Sequence, residues 1–252
     1  MRVPSVVGKW AFSLGWTAYQ GGAVVLGATL GGDRALIERQ TRRWSGGLAR
    51  ACGMEVEVRG VDHVEPACTY VIMANHQSHT DIVALFEALP FVPGFLAKKE
   101  LRRTPFLGPA MEKAGHVFID RTRRDRAFEA IAEAADRVRE GRCLVVFPEG
   151  TRSGDGTVKA FKKGGFHLTK QSGVPLLPVG IRGTAAVLPK NTVRLRPGHV
   201  VVTIGEPLSS EEVAGAPLSE LMRRVHVRIC ELSGLPPRDP LLHASDAEPR
   251  ST

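Results

Sequence analysis

The chain has 252 residues, 43% hydrophobic and 24% charged, which excludes wholesale disorder and leaves ample apolar sequence for an α/β core. Its formal net charge of +8 points to an acidic partner. With aromatics at 6% and no zinc-finger spacing, nucleic acid has few side chains to stack on, so an anionic membrane surface is the expected partner and nucleic acid is not.

Trp10 to Leu30 is a run of 21 residues without a charge, long enough in principle to cross a hydrocarbon layer. Cations flank both sides, Arg2 and Lys9 before and Arg34, Arg39, Arg42 and Arg43 after, whereas a single crossing favours one side. A helical hairpin broken near Gly21-Gly22 and dipping into one leaflet satisfies both flanks. A single transmembrane helix and a signal peptide are the competing readings, the latter weakened by the lack of a small-x-small cleavage site. From Asp33 to Cys52 the pattern is a basic amphipathic helix with Ile37, Trp44 and Leu48 near one face, which reads as membrane-surface binding or as an ordinary docked helix. Residues 1–52 are therefore expected to form a membrane-anchoring helical segment.

Beyond Gly53 the chain alternates. Strand-like runs fall at 55–59, 69–74, 94–97, 116–119, 143–147, 176–181, 192–195 and 200–205, with helical patterns between at 81–89, 105–113, 125–140, 161–171 and 218–232. This alternation predicts an α/β domain over 53–235, a mixed, mostly parallel sheet flanked by helices. The Pro-, Ser- and charge-rich tail, 236–252, reads as disordered and inert. Cys52, Cys68, Cys143 and Cys230 are scattered with no Cys-x-x-Cys pair, as in a reduced chain facing the cytosol.

Two segments carry chemistry. In Asn75-His76-Gln77-Ser78-His79-Thr80-Asp81, His76 and Asp81 would be turned about 140° apart on one helix. They meet if His76 sits on the turn leaving a strand and Asp81 on the first turn of the next helix. Asp81 could then hold one ring nitrogen and fix the tautomer. Equally, Ser78-x-x-Asp81 is a capping box that needs no catalysis. His76-x-x-His79 lacks a third ligand at a telling spacing, so no metal is expected. In Phe147-Pro148-Glu149-Gly150-Thr151-Arg152-Ser153, at the end of a strand, Gly150 allows close backbone approach, Thr151 offers a hydroxyl and Arg152 can fork onto a phosphate. Around them lie Lys98, Lys99, Arg102 and Arg103, then Arg121, Arg123, Arg124 and Arg126, then Lys159, Lys162 and Lys163; Arg121 and Lys98, each after a short apolar run, stand out from this solvated belt.

These segments, with Gly115-x-x-Phe118-Ile119-Asp120-Arg121 and Val174-Pro175-Leu176-Leu177-Pro178-Val179, resemble the four ordered blocks of the glycerolipid acyltransferases, and among them the 1-acyl-glycerol-3-phosphate acyltransferases. The likeness also takes in Ala97 to Leu101, Phe161 to Gly164 and Ile204 to Pro207, and so spans residues 54 to 210. The resemblance implies acyl transfer from a coenzyme A or acyl-carrier-protein thioester to the hydroxyl of a lysophospholipid, with no other cofactor. His76 would be the general base and Asp81 its orienter, with no acyl-enzyme. Arg121, Arg152 and Lys98 would hold the phosphate, Glu149, Gly150 and Thr151 the glycerol region, and Asn75 and Ser78, inside the first block, belong to the same substrate surface. The expected place is the cytoplasmic face of the inner membrane, monotopic or peripheral. Competing acceptors are another lysophospholipid, a lyso-ornithine lipid or glycerol 3-phosphate. A non-catalytic lipid-binding protein of the same fold is the reading from a different class.

Overall fold

The computed structural model describes residues 6–120 and 123–239. In chain order the elements are α1 (Val6–Thr29), α2 (Arg34–Cys52), β1 (Met54–Arg59), β2 (Val71–Ala74), α3 (Asp81–Ala88), β3 (Gly94–Lys98), α4 (Leu107–Lys113), β4 (Val117–Ile119), α5 (Arg124–Arg139), β5 (Leu144–Val146), α6 (Lys163–Ser172), β6 (Leu176–Arg182), α7 (Thr184–Val187), β7 (Gly198–Ile204), α8 (Ser210–Gly215) and α9 (Leu218–Ser233), with short 3₁₀ turns at Val61–His63 and Lys99–Arg103. The strands form one sheet in the order β1-β7-β6-β2-β5-β3-β4. Only β6 and β7 pair antiparallel, so β2 to β6 share one direction and β1 and β7 take the other. This is the mixed, mostly parallel sheet that the alternation predicts.

Both faces of the sheet are covered, which is why its strands read as continuous apolar runs. On β2, Ile72 and Ala74 join the core beneath α2 and α3, while Val71 and Met73 join the core beneath α5, α6 and α9. The expected strand at 192–195 does not form. Asn191 sits at φ 62° in a turn after Pro189, and Pro197 precedes β7, so this stretch is a connection rather than a ladder member.

The N-terminal expectation needs correction. Helix α1 runs unbroken through Gly21-Gly22. Gly21 serves close packing instead: a Cβ there would stand 2.8 Å from the carbonyl oxygen of Phe106. The break falls later, at Gly31 (φ 85°), before Asp33 caps α2 through the Leu36 N–H. Among the described residues no helix is long and apolar enough to cross a membrane. The apolar stripe of α2 faces the domain. Trp44 meets the Phe86 ring edge-on at 6.0 Å, and the Arg42 guanidinium donates to the carbonyl oxygens of Phe86 and Leu89, closing α3. The tail boundary moves as well, because Val158 N–H donates to Pro236 O and Arg238 N–H to Val158 O, binding 236–238 to the domain; residues 240–252 lie outside the described residues.

Helix α9 crosses β6 at Gly180, where a Cβ would stand 2.3 Å from the backbone of Leu232 and Ser233. Gly180→Ala is therefore expected to destabilise the fold by about 2–3 kcal/mol and lower the melting temperature by roughly 4–12 °C, measured by calorimetry. An unchanged melting temperature would show that α9 is not seated there.

Candidate active site

In the parallel part of the sheet β2, β5 and β3 are neighbours, and β4 closes the edge. The loops that leave their carboxyl ends carry His76, Glu149, Lys98 and Asp120, so segments far apart in sequence meet on one rim, where open α/β sheets bind ligands.

His76 lies on the turn after β2 and Asp81 opens α3. The ring Nδ1 of His76 is 2.7 Å from Asp81 Oδ2. That oxygen also accepts the backbone N–H groups of Gln77 at 2.8 Å and Ser78 at 2.9 Å. Asp81 is fully buried, so an ionised carboxylate there depends on these donors. The capping box expected at Ser78-x-x-Asp81 does not form, because α3 is capped at Thr80 and the Ser78 hydroxyl goes elsewhere. The same Asp81 oxygen holds the loop amides and the His76 ring. With the Nδ1 proton assigned toward Asp81, Nε2 is left to accept a proton. The imidazole stacks on Phe147 with centroids 4.1 Å apart.

The backbone around His76 is fixed by the second block. Glu149 Oε1 accepts the His76 N–H at 2.6 Å and Oε2 accepts the Lys159 N–H at 3.1 Å. Ser153 N–H donates to His76 O at 2.8 Å, and the Gln77 amide donates to Ser153 Oγ. Lys159 Nζ donates to Thr151 Oγ1 and Arg152 O, and Lys190 Nζ also donates to Arg152 O. His226 on α9 lies 3.1 Å from Lys159 O.

This geometry redistributes the expected substrate contacts. Asn75 is fully buried and spans Ile181, donating to its carbonyl at 2.8 Å and accepting its N–H at 2.7 Å. Ser78 is buried with its hydroxyl on Leu188 O. Glu149 is buried with both oxygens on backbone amides. All three hold backbone groups of remote segments, which local sequence could not reveal. Gly150, at φ 73°, turns the loop where a Cβ would press on Lys162. Thr151 is exposed and Arg152 partly so. His79 is held below its ordinary value first by desolvation and then by the charges of Arg152 and His76. Lys98 ends β3 with its ammonium 3.5 Å from Glu100. Arg121 lies outside the described residues. Gln77, Phe147 and Ser153 stand within the two motifs and Lys159 within the basic belt without being singled out from sequence, and Lys190 had no signal at all.

A cavity of about 190 Å³ runs between the sheet and α5 and α6, lined by Leu96, Ile119, Ile131, Val146 and Phe147, with Lys162 among its lining. Phe147 belongs both to this cavity and to the His76 stack. Among the described residues no group of three His, Cys, Asp or Glu side chains is placed to hold a metal ion. The arrangement offers a proton acceptor, a nearby cation and an apolar recess.

A family model described as Acyltransferase matches residues 55–182, about half of the chain. The chain belongs to the acyltransferase family. It is 37% identical over 177 residues to the 1-acyl-sn-glycerol-3-phosphate acyltransferase of Saccharomyces cerevisiae, covering 69% of this chain and 58% of that protein. It is 36% identical over 174 residues to the human 1-acyl-sn-glycerol-3-phosphate acyltransferase alpha, covering 69% and 62%. The chain thus spans about three fifths of these curated relatives. The crystal structure of the 1-acyl-sn-glycerophosphate acyltransferase PlsC from Thermotoga maritima superposes with a TM-score of 0.81 at 28% identity, covering 91% of this chain and 93% of that one. The acyltransferase sheet and its flanking helices are therefore shared across nearly the whole length of both chains.

Burial pushes the Glu149 carboxyl up to about 7, against the downward pull of the His76 and Lys159 amides and the Lys159 ammonium. A carboxyl raised in the folded state stabilises fully below its unfolded value near 4.5 and loses that contribution as pH rises through about 7. Relative to Glu149→Gln, the parent protein should thus lose on the order of 3 kcal/mol of stability between about pH 4.5 and 8. Denaturant melts across that range measure it, and a constant difference would count against a raised Glu149.

Proposed function

We propose that this protein transfers a fatty acyl group from an acyl thioester to the free sn-2 hydroxyl of 1-acyl-glycerol-3-phosphate, forming phosphatidic acid. The observation that carries the reading is the His76–Asp81 pair, with Nε2 as the available base and the ring stacked on Phe147, which also lines an apolar cavity. In the proposed step His76 Nε2 takes the hydroxyl proton, the hydroxyl oxygen attacks the thioester carbonyl, the carbon–sulfur bond breaks and the proton leaves on the thiol. Asp81 stabilises the imidazolium that forms meanwhile. The cavity suits an acyl chain, and Arg152, with Arg121 and Lys98 as further candidates, suits the phosphate. Thr151, with Gly150 beside it, is the group we assign to the glycerol. Coenzyme A and acyl carrier protein are the two donor carriers this chemistry admits, and no further cofactor enters it.

We place the protein at the cytoplasmic face of a membrane, held by α1 without a full crossing. Its outward side carries Phe12, Tyr19 and Leu26, with Leu14 exposed on the opposite side and Leu30 just past the helix end, and such a surface favours a lipid environment. Holding the site there spares the acceptor's chain from entering water, at about 0.8 kcal/mol per methylene.

Purified protein supplied with acyl thioesters and a panel of lysolipids tests the assignment. Lysophosphatidate should be the preferred acceptor. Preference for a lyso-ornithine lipid, another lysophospholipid or glycerol 3-phosphate would replace the acceptor and keep the chemistry. No transfer to any acceptor would favour a lipid-binding role.

His76→Ala should lower turnover by roughly 10²- to 10⁴-fold without loss of fold, and Asp81→Asn should be severe as well because the tautomer is no longer enforced. Steady-state rates beside a far-ultraviolet spectrum measure both; near-normal turnover by folded His76→Ala would remove the mechanism.

Arg152→Ala should raise the lysolipid KM about ten- to a hundred-fold and leave the thioester KM nearly unchanged, the loss expected for one charge-assisted hydrogen bond. Equal changes in both constants would take Arg152 out of the phosphate site.

A further inference from the structure

The connection between β3 and α4 contains an unusual turn. Phe106 has φ 61° and ψ −45°, and Leu107 N–H donates to Pro105 O at 2.6 Å across it. This is a γ-turn of the strained hand, which a bulky side chain rarely occupies. Such a residue could bury its ring in recompense. Phe106 does not: it is 55% exposed.

The turn is seated against α1. Gly21 admits the Phe106 carbonyl only because it lacks a Cβ, and a Cβ on Gly22 would stand 4.0 Å from Phe106 Cδ1. Three residues before Gly22 and four after it, on the same helical side, are Tyr19 and Leu26, 67% and 61% exposed. The Phe106 ring therefore extends the outward apolar side of α1. Just before it stand four cations against three acids, Lys98 near Glu100, Lys99 on Asp120 and Arg102 on Glu112, with Arg103 in excess, and Leu101 is also exposed. Apolar side chains beside a cluster of cations complement an anionic bilayer surface more closely than they complement a second copy of a chain with net charge +8.

We propose, resting on the membrane reading above, that the segment Lys99–Leu107 is a second membrane-contacting element, with Phe106 inserted among the acyl chains and Arg103 on anionic headgroups. Its place in the fold gives it a consequence for the site. Lys99 Nζ is 2.5 Å from Asp120 Oδ2, which ties the segment to the end of β4, one residue before Arg121. The headgroup region of the bilayer is thereby brought to the rim where the phosphate of the acceptor is to be held, so a lysolipid enters without leaving the interface.

The test uses the full chain with Cys68→Ser, since the other three cysteines are buried. An environment-sensitive fluorophore is placed in turn on Phe106→Cys, Tyr19→Cys and Glu231→Cys, the last on α9. Phosphatidylcholine vesicles containing phosphatidylglycerol should shift the emission of the labels at 106 and 19 to shorter wavelength, and leave the label at 231 unchanged. A response at 19 without one at 106 overturns this proposal and leaves the α1 reading standing; silence at both overturns the two together. Equal responses at 106 and 231 overturn it, and so does a shift at 106 that grows with protein concentration in the absence of vesicles, because a second copy then covers the patch. Vesicles without phosphatidylglycerol should bind more weakly, and equal binding overturns the cationic part. In unlabelled protein, Phe106→Gly removes the ring and the backbone strain together. It should bind anionic vesicles about ten-fold more weakly with no fall in melting temperature. Parent-like binding by this variant overturns the role of Phe106.

Discussion

Two carboxylates cut off from water govern where the histidine stands. A buried acid is retained only where donors meet its oxygens, and here the donors are the backbone of the histidine loop itself. Asp81 gathers the His76 ring and the amides of Gln77 and Ser78 on one oxygen. Glu149 takes the amide of His76 on one side and that of Lys159 on the other. Removing either acid would leave unmet backbone donors as well as a displaced imidazole. Orientation of the imidazole and integrity of the loop are thus one physical problem, solved by the same contacts.

The sheet makes this possible at long range. Because β2 and β5 are parallel neighbours, the turn after one and the loop after the other emerge side by side, and the seventy-odd residues between His76 and Glu149 vanish as a distance. The loop is then fastened from further elements: Lys190 reaches Arg152 O from beyond α7, His226 reaches Lys159 O from α9, and the strap at 236–238 pairs with Val158. Each bond falls on the backbone of the loop after β5 rather than on a side chain, so the Arg152 peptide is held while its guanidinium is left out of these contacts.

At the N-terminus the same residue types serve a different end from the one local patterning implies. Glycine lowers helix propensity, and a pair of them in an apolar run looks like a break. In the folded protein Gly21 is a place of close approach, where the turn at Phe106 meets α1. The stripe of α2 is likewise spent on α3, with Trp44 on Phe86, so the outward apolar surface belongs to α1 alone of the pair. Amphipathicity reports that a face must be covered; it does not say whether protein or lipid covers it.

Sequence by itself determined what depends on near neighbours. Apolar period separates strands from helices, and every sheet strand but the false one at 192–195 was legible within a few residues. Asn-His-x-Ser-x-x-Asp and Phe-Pro-Glu-Gly-Thr-Arg are rich enough in chemistry to mark the rim and to pair His76 with Asp81 across one turn. Tertiary structure decided the rest, because burial and hydrogen-bond partners come from segments far away in the chain. Asn75, Ser78 and Glu149 look like ligand contacts in a motif, yet each is claimed by backbone groups: Ile181 for Asn75, Leu188 for Ser78, and His76 and Lys159 for Glu149. The tail after Leu235 is polar and Pro-rich, and still the backbone of Val158 offers it a ladder to join. A side chain's identity fixes what it can donate or accept; only the fold fixes which groups stand within reach.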